Sequence, residues 1–209
     1  ICLMGDYPGH NIGTRPLTPD EVLPELGRLQ APLGVRAIFG NHEWRDDREA
    51  MKTRASETHW HRAFRAAGLP ALVNEVETLG TPHGPITLAG LDSQRAFKLS
   101  RTRYKGAHDW EAVASAIDPA RFTVLLAHEP DIFPDLPDHV DLTLSGHNHG
   151  GQVNPFGKPL LVPSKFGRRY AYGHVIEGSK QLVISGGIGT SGVALRMNMP
   201  PELNLVELR

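Results

Sequence analysis

The chain has 209 residues, with 22 Lys+Arg balanced by 23 Asp+Glu and a net charge of −1, which argues against the basic excess of an electrostatic nucleic-acid binder. Its 40% hydrophobic and 22% charged residues are an ordinary globular composition, and the length suits one large domain or at most two small ones. Cys2, the one cysteine, excludes an internal disulfide framework, and no 18-residue apolar run is present to span a bilayer.

Ile1 to Met4 reads as a buried strand opening into a loop at Gly5-Asp6. The chain begins at Ile1 inside this apolar run, so it is expected to lack its native N-terminus. Thr18-Pro19-Asp20-Glu21 has the pattern of a capping box with Pro in the first turn. Val22, Leu23, Leu26 and Leu29 continue it as a helix that Pro24 should kink or shorten. Val35 to Phe39 is a second apolar strand, ending in Gly40-Asn41-His42-Glu43. Trp60, Ala63, Phe64 and Ala67 mark a helix that Gly68 can stop.

Residues 71–74 and 86–90 are short strand candidates, and residues 93–108 lack a clear period. Trp110, Val113, Ala114 and Ile117 give a helix closed by Asp118-Pro119. Phe122 to Ala127 is a buried strand followed at once by His128-Glu129-Pro130. Asp141 to Ser145 is another, followed by Gly146-His147-Asn148-His149. Residues 152–169 read as a long loop, and 170–176, 182–185 and 203–208 as antiparallel strands. Helices and strands alternate early and strands dominate late, which predicts a layered α/β fold with mixed sheets.

The chemistry gathers after strands. Asp6, Asn41 with His42, His128, and His147 with His149 each follow an apolar run, and layered α/β folds bind ligands outside the carboxyl ends of their strands. Imidazole nitrogen and carboxylate oxygen suit Zn, Fe or Mn, and a carboxylate can bridge two ions. Each feature alone has a plainer reading: Gly-Asp as a turn, Asn41 as a turn residue, His128 as a satisfied buried histidine. Their joint occurrence in one order favours a common site.

Other readings carry less. His147-Asn148-His149 spells the tripeptide of a nuclease class, but three letters have little specificity. The helical His-Glu-x-x-His zinc motif is absent. Gly186 to Gly192 lacks the lysine of a phosphate loop and reads as a turn. Lys165, Arg168 and Arg169 are either contacts for an anionic substrate or part of a solvated loop.

In order and spacing, Gly5-Asp6, Gly40-Asn41-His42-Glu43, His128 and Gly146-His147-Asn148-His149 resemble the calcineurin-like metallophosphoesterases over nearly the whole chain. Ala127-His128-Glu129-Pro130-Asp131, the extension to Gly150-Gly151-Gln152, residues 163–170 and residues 187–192 resemble a bacterial branch of envelope-associated phosphodiesterases. Some members of that branch hydrolyse the pyrophosphate of a UDP-linked diacylglucosamine in lipid A biosynthesis.

The resemblance implies a four-layer α/β sandwich of two mixed sheets flanked by helices, with residues 1–209 forming one N-terminally truncated domain. It implies two divalent ions (Mn, Fe, Zn or Co) and a metal-bound hydroxide attacking a phosphodiester or pyrophosphate. Asp6 would bridge the ions and act in catalysis, Asn41, His128 and His147 would complete one site, and His149 would serve the other. His42 would act as acid or transition-state stabiliser, and Arg168 and Arg169 would meet the substrate.

The family opens with an Asp-x-His block upstream of Gly-Asp, and nothing precedes Ile1 here. The chain is therefore expected to be a fragment, with a one-metal or non-catalytic binding domain as the alternative. The implied partners are a small phosphoester or a lipid-linked substrate, without nucleic acid, and with peripheral membrane contact in the full-length protein. The implied location is undetermined, with relatives often at the membrane or envelope.

Overall fold

The computed structural model describes residues 1–100 and 103–208. In chain order the elements are β1 (Cys2–Leu3), β2 (His10–Asn11), α1 (Pro19–Leu26), β3 (Arg36–Ala37), α2 (Asn41–Asp46), α3 (Arg48–Thr53) and α4 (His59–Ala66). They continue as β4 (Glu75–Thr81), β5 (Gly84–Gly90), β6 (Phe97–Lys98), β7 (Tyr104–Lys105), α5 (Trp110–Ala116), β8 (Thr123–Leu126) and β9 (Leu142–Ser145). β10 (Gly173–Glu177), β11 (Lys180–Ile184) and β12 (Ser191–Gly192) complete the set.

Six strands form a mixed sheet in the order β10-β11-β9-β8-β5-β4. The inner four, β5, β8, β9 and β11, run parallel, and each edge is an antiparallel hairpin partner. Burial on both faces explains why β8 reads Thr-Val-Leu-Leu with no polar alternation. Side-chain parity then divides the core. Leu88, Val124, Leu126 and Leu142 face one way and pack on Ile38, Met4 and Leu72. Ala89, Leu125, Leu182 and Ile184 face the other and pack on Val113 and Ile117 of the α5 region and on Phe133 and Tyr170.

Ile38 follows directly on the second sheet, in which β1 pairs with β3 in parallel and Ala37 bridges to Ala71. The outer side of that sheet, through Ala37 and Phe39, covers Trp60 and Phe64 of α4 and Val22, Leu23 and Leu26 of α1. The layers are thus helix, six-stranded sheet, small sheet, helices, which is the expected four-layer sandwich. The second sheet is parallel rather than mixed, because each of its described strands returns by a crossover instead of a hairpin.

Local chemistry sets several boundaries. The Thr18 N–H donates to Glu21 at 2.9 Å in the capping box of α1, and Pro24 is tolerated in a helix that ends at Leu26, short of the exposed Leu29. Residues 71–74 supply a single bridge rather than a strand. The 93–108 segment, of which 101 and 102 lie outside the described residues, holds the β6–β7 hairpin. Residues 203–208 form no strand, although their apolar pattern suggested one. Leu203 and Leu205 are exposed, so no sheet face is available to reward the pairing.

Candidate metal centre

The carboxyl ends of both sheets meet at one place. β1 leads to Gly5-Asp6, β3 to Gly40-Asn41-His42, β8 to His128 and β9 to His147. Asp6, His128 and His147 each bring one ligand atom within 4.8 Å of the others. His128 Nε2 lies 3.1 Å from Asp6 Oδ2, and His42 Nε2 lies 3.8 Å from the same oxygen. The His42 backbone N–H donates to Asp6 Oδ1 at 2.9 Å. His128 Nδ1 donates to the Met4 carbonyl, which turns Nε2 toward Asp6.

Two glycines make the approach possible. A Cβ on Gly40 would stand 2.4 Å from Asp6 Oδ1 and 2.7 Å from His128 Nε2. A Cβ on Gly5, whose φ is +90°, would stand 2.5 Å from the Gly40 nitrogen. Asp6, His147 and His149 themselves have φ of 63°, 66° and 49°, a left-handed region that costs a side-chain-bearing residue about 1–2 kcal/mol. Backbone strain of this kind concentrates at functional sites.

Glu43 and Glu129 hold these loops from beneath. Buried Glu43 accepts from the backbone N–H of Tyr7 at 2.5 Å and of Gly40 at 2.7 Å, tying the Asp6 loop to the start of α2. Burial, reinforced by the nearby Asp6 charge, raises its carboxyl to about 8. Glu129 accepts from Ser93 Oγ at 2.6 Å and from the Gln94 N–H at 2.9 Å, and burial likewise raises it.

Electrostatics divide the imidazoles. Burial disfavours charge on both Asp6 and His128, but their mutual attraction outweighs it. Asp6 is held well below the usual carboxylate range and His128 is raised to about 10. Burial, helped by the neighbouring cations, lowers His42, pushes His147 well down and brings His149 to about 4. Those three rings are therefore neutral near pH 7 and present lone pairs.

Both amide atoms of the fully buried Asn41 lack a hydrogen-bond partner, as does His147 Nδ1. Buried polar atoms are nearly always satisfied. Asn41 lies between Gly40, which abuts Asp6 and His128, and His42, whose N–H holds Asp6. Unpartnered oxygen and nitrogen atoms beside a buried carboxylate fit a divalent cation with N/O ligands.

His149 stands apart from this three-residue group. Its Nδ1 lies 3.3 Å from Arg196 Nη2, although it shares the electrostatic field of Asp6 and His128. Arg169 is engaged with Glu177 at 2.8 Å, and Arg168 donates to the Pro159 carbonyl at 3.3 Å. Among the described residues, the arginines that do reach these histidines are Arg196 and Arg95, the latter placing Nη1 3.4 Å from His147 Nε2. Sequence reasoning missed both, since neither lies in a motif, and Arg95 occupies the segment without periodicity. It also missed Glu43 as a structural tie, although Gly-x-x-Glu at a strand end is a legible capping signal.

The fold and the histidine–carboxylate site define a calcineurin-like phosphoesterase. The model of that family matches residues 1–151, and the chain belongs to the family. It is similar to the uncharacterized metallophosphoesterase YkuE of Bacillus subtilis (strain 168), with 31% identity over 90% of this chain and 60% of the relative. An uncharacterized metallophosphoesterase of Aquifex aeolicus (strain VF5) shares 28% identity over 91% of this chain and 66% of its own length. A Bos taurus transmembrane protein with a metallophosphoesterase domain shares 26% over 88% of this chain and 40% of its own. The chain thus spans less than two thirds of the length of these relatives. No solved structure matches it significantly.

Proposed function

We propose that residues 1–209 act as one metallophosphoesterase domain that hydrolyses a phosphodiester or pyrophosphate. The observation that carries the reading is the convergence of Asp6, His128 and His147 within 4.8 Å beside the unpartnered Asn41 amide. Asp6, Asn41, His128 and His147 would hold one divalent ion, and Asp6 with His149 would contribute to a second. When bound, such ions lower the pKa of water and stabilise the attacking and leaving oxygens of an in-line displacement.

The chain's own residues do the rest. Asp6 would supply negative charge to both cation positions. His128 would lose its Nε2 proton if it held an ion, and its Nδ1 contact with the Met4 carbonyl keeps Nε2 aimed inward. His42, buried beside Asp6, would hydrogen-bond the phosphate or protonate the leaving oxygen. Glu43 and the two glycines fix the spacing of these groups.

The substrate we favour is a cell-envelope, lipid-linked or nucleotide-type phosphoester, including the UDP-diacylglucosamine class. Exposed apolar side chains on the flanking loops support it. Ile12 follows β2, Phe156, Leu160 and Leu161 lie beyond His149, and Ile188 precedes β12. The β2–β12 ladder joins two of these loops, and Phe156 is 97% exposed. Apolar side chains exposed on these loops would suit acyl chains or a peripheral membrane contact. No described helix is long and apolar enough to cross a membrane.

Calorimetry with Mn²⁺ or Zn²⁺ and turnover of bis(p-nitrophenyl) phosphate test the reading. Asp6→Asn and His147→Ala are each expected to weaken ion binding at least tenfold and to abolish hydrolysis. Unchanged turnover in either variant rejects the assignment, and ion binding without hydrolysis by the wild-type chain favours the binding-domain alternative.

A further inference from the structure

A basic cleft is linked to the candidate metal centre through Tyr104 and Arg95. α2, α3 and the β6–β7 hairpin border an open, shallow cleft of about 520 Å³, lined by Arg45, Arg48, Met51, Lys52, Lys98 and Tyr104. Four of the six are cations and no described acidic side chain lines it. Of the nearby acids, Glu43, Asp46 and Asp47 are engaged elsewhere, and exposed Glu49 of α3 is not among the lining residues. Asp46 accepts from Trp60 Nε1 at 2.9 Å and pairs with His59 at 3.2 Å, and Asp47 caps α3. Among the described residues, the side chains of Arg48, Lys52 and Lys98 have neither a hydrogen-bond nor an ion-pair partner. Four gathered, unneutralised cations in a chain of net charge −1 repel one another, and a bound anion would relieve that repulsion.

The cleft connects to the centre through Tyr104. The guanidinium of Arg95 stacks on its ring at 4.3 Å and that of Arg45 lies 5.7 Å from the ring centroid. Arg95 also reaches His147 Nε2 at 3.4 Å, while Arg45 sits one turn after His42 on α2. Burial favours the neutral phenol of Tyr104, but a hydrogen bond and charge from Arg95, with the charges of Arg45 and Lys98, outweigh it and lower the hydroxyl from its ordinary range.

The geometry points to a subsite in which Arg45, Arg48, Lys52 and Lys98 hold a second phosphoryl group of the substrate, beyond the one that sits at the metal centre. Guanidinium forks and lysine ammoniums are the groups that recognise phosphate. The inference rests on the hydrolase reading above and narrows it to substrates with two phosphoryl groups, such as nucleoside diphosphate esters or phosphorylated lipid headgroups.

Binding of inorganic pyrophosphate in EDTA, followed by calorimetry, tests the cleft without the metal centre. The Arg48→Gln/Lys52→Gln pair is expected to weaken it at least tenfold. An Arg28→Gln/Arg65→Gln pair removes equal charge elsewhere and should leave it unchanged. Equal binding by wild type and the first pair, or equal loss in both pairs, overturns the subsite. In the metal-loaded protein the first pair should raise KM for a nucleoside diphosphate sugar at least fivefold more than KM for bis(p-nitrophenyl) phosphate. An unshifted KM ratio means that the cleft takes free phosphate, and the substrate assignment fails. Loss of hydrolysis by wild type with the EDTA result intact would instead count against the metal-centre reading alone.

Discussion

Gly40→Ala isolates what close packing contributes to the candidate centre. The φ of Gly40 is −103°, which alanine adopts freely, so the whole effect comes from the added methyl. That carbon would sit 2.4 Å from Asp6 Oδ1 and 2.7 Å from both Cε1 and Nε2 of His128. These separations fall short of a relaxed contact near 3.5 Å by roughly 1 Å. Inserting a methyl into a packed site costs about 1–3 kcal/mol, offset by about 0.4–1 kcal/mol from the stiffer unfolded chain. A net loss of about 1–2 kcal/mol corresponds to a melting point lower by roughly 2–8 °C for a chain of this size.

The larger effect should be on ion binding, because relief of the clash must move Asp6 or His128. Divalent-ion affinity is expected to fall at least tenfold, about 1.4 kcal/mol. Differential scanning calorimetry and an ion titration read both quantities. Gly80→Ala, with open space around its Cβ, serves as the neutral control. Wild-type ion affinity together with an unshifted melting point in Gly40→Ala would refute the idea that this glycine sets the spacing of the centre.

Asp47→Ala removes the cap of α3, which accepts from the Ala50 N–H at 2.9 Å and also from the His59 N–H at 2.8 Å. The expected cost is about 1–2 kcal/mol in urea unfolding. Burial raises the Asp47 carboxyl, but the two amides and the His59 ring outweigh it and lower it overall. Its stabilisation is therefore full above the unfolded value near 3.9 and lost as pH falls through the lower folded value. The wild-type advantage over Asp47→Ala should shrink toward pH 2, and a difference constant from pH 7 to 2 would contradict the assignment. Leu126→Ala empties a fully buried position between the two sheets and should cost about 2–5 kcal/mol, whereas a loss under 1 kcal/mol would show that the inter-sheet layer is loosely packed.

The local pattern determined what local physics governs. The capping box at Thr18, the run of buried residues in β8 and the strand-then-histidine junctions at 128 and 147 were legible because caps, strand burial and turns depend on near neighbours. The motif series was legible too, and with it the family. The β4–β5 hairpin was legible only in its second half, since Glu75–Thr81 mixes polar and apolar residues at a sheet edge. The apolar run at 203–208 misled in the opposite sense, because strand propensity counts only where a face or an edge is free to receive it.

Only the tertiary structure decided which side chains meet. Arg95 and Arg196 reach His147 and His149 across 52 and 47 residues, and no short-range signal encodes such a contact. The same holds for the basic cleft, whose cations come from two helices and a hairpin with no common motif. Arg168 and Arg169 looked like substrate contacts by residue type, yet a nearby carbonyl and Glu177 engage them. Residue type and order therefore announced an ion-binding chemistry, while the packing of the two sheets chose which cations surround it.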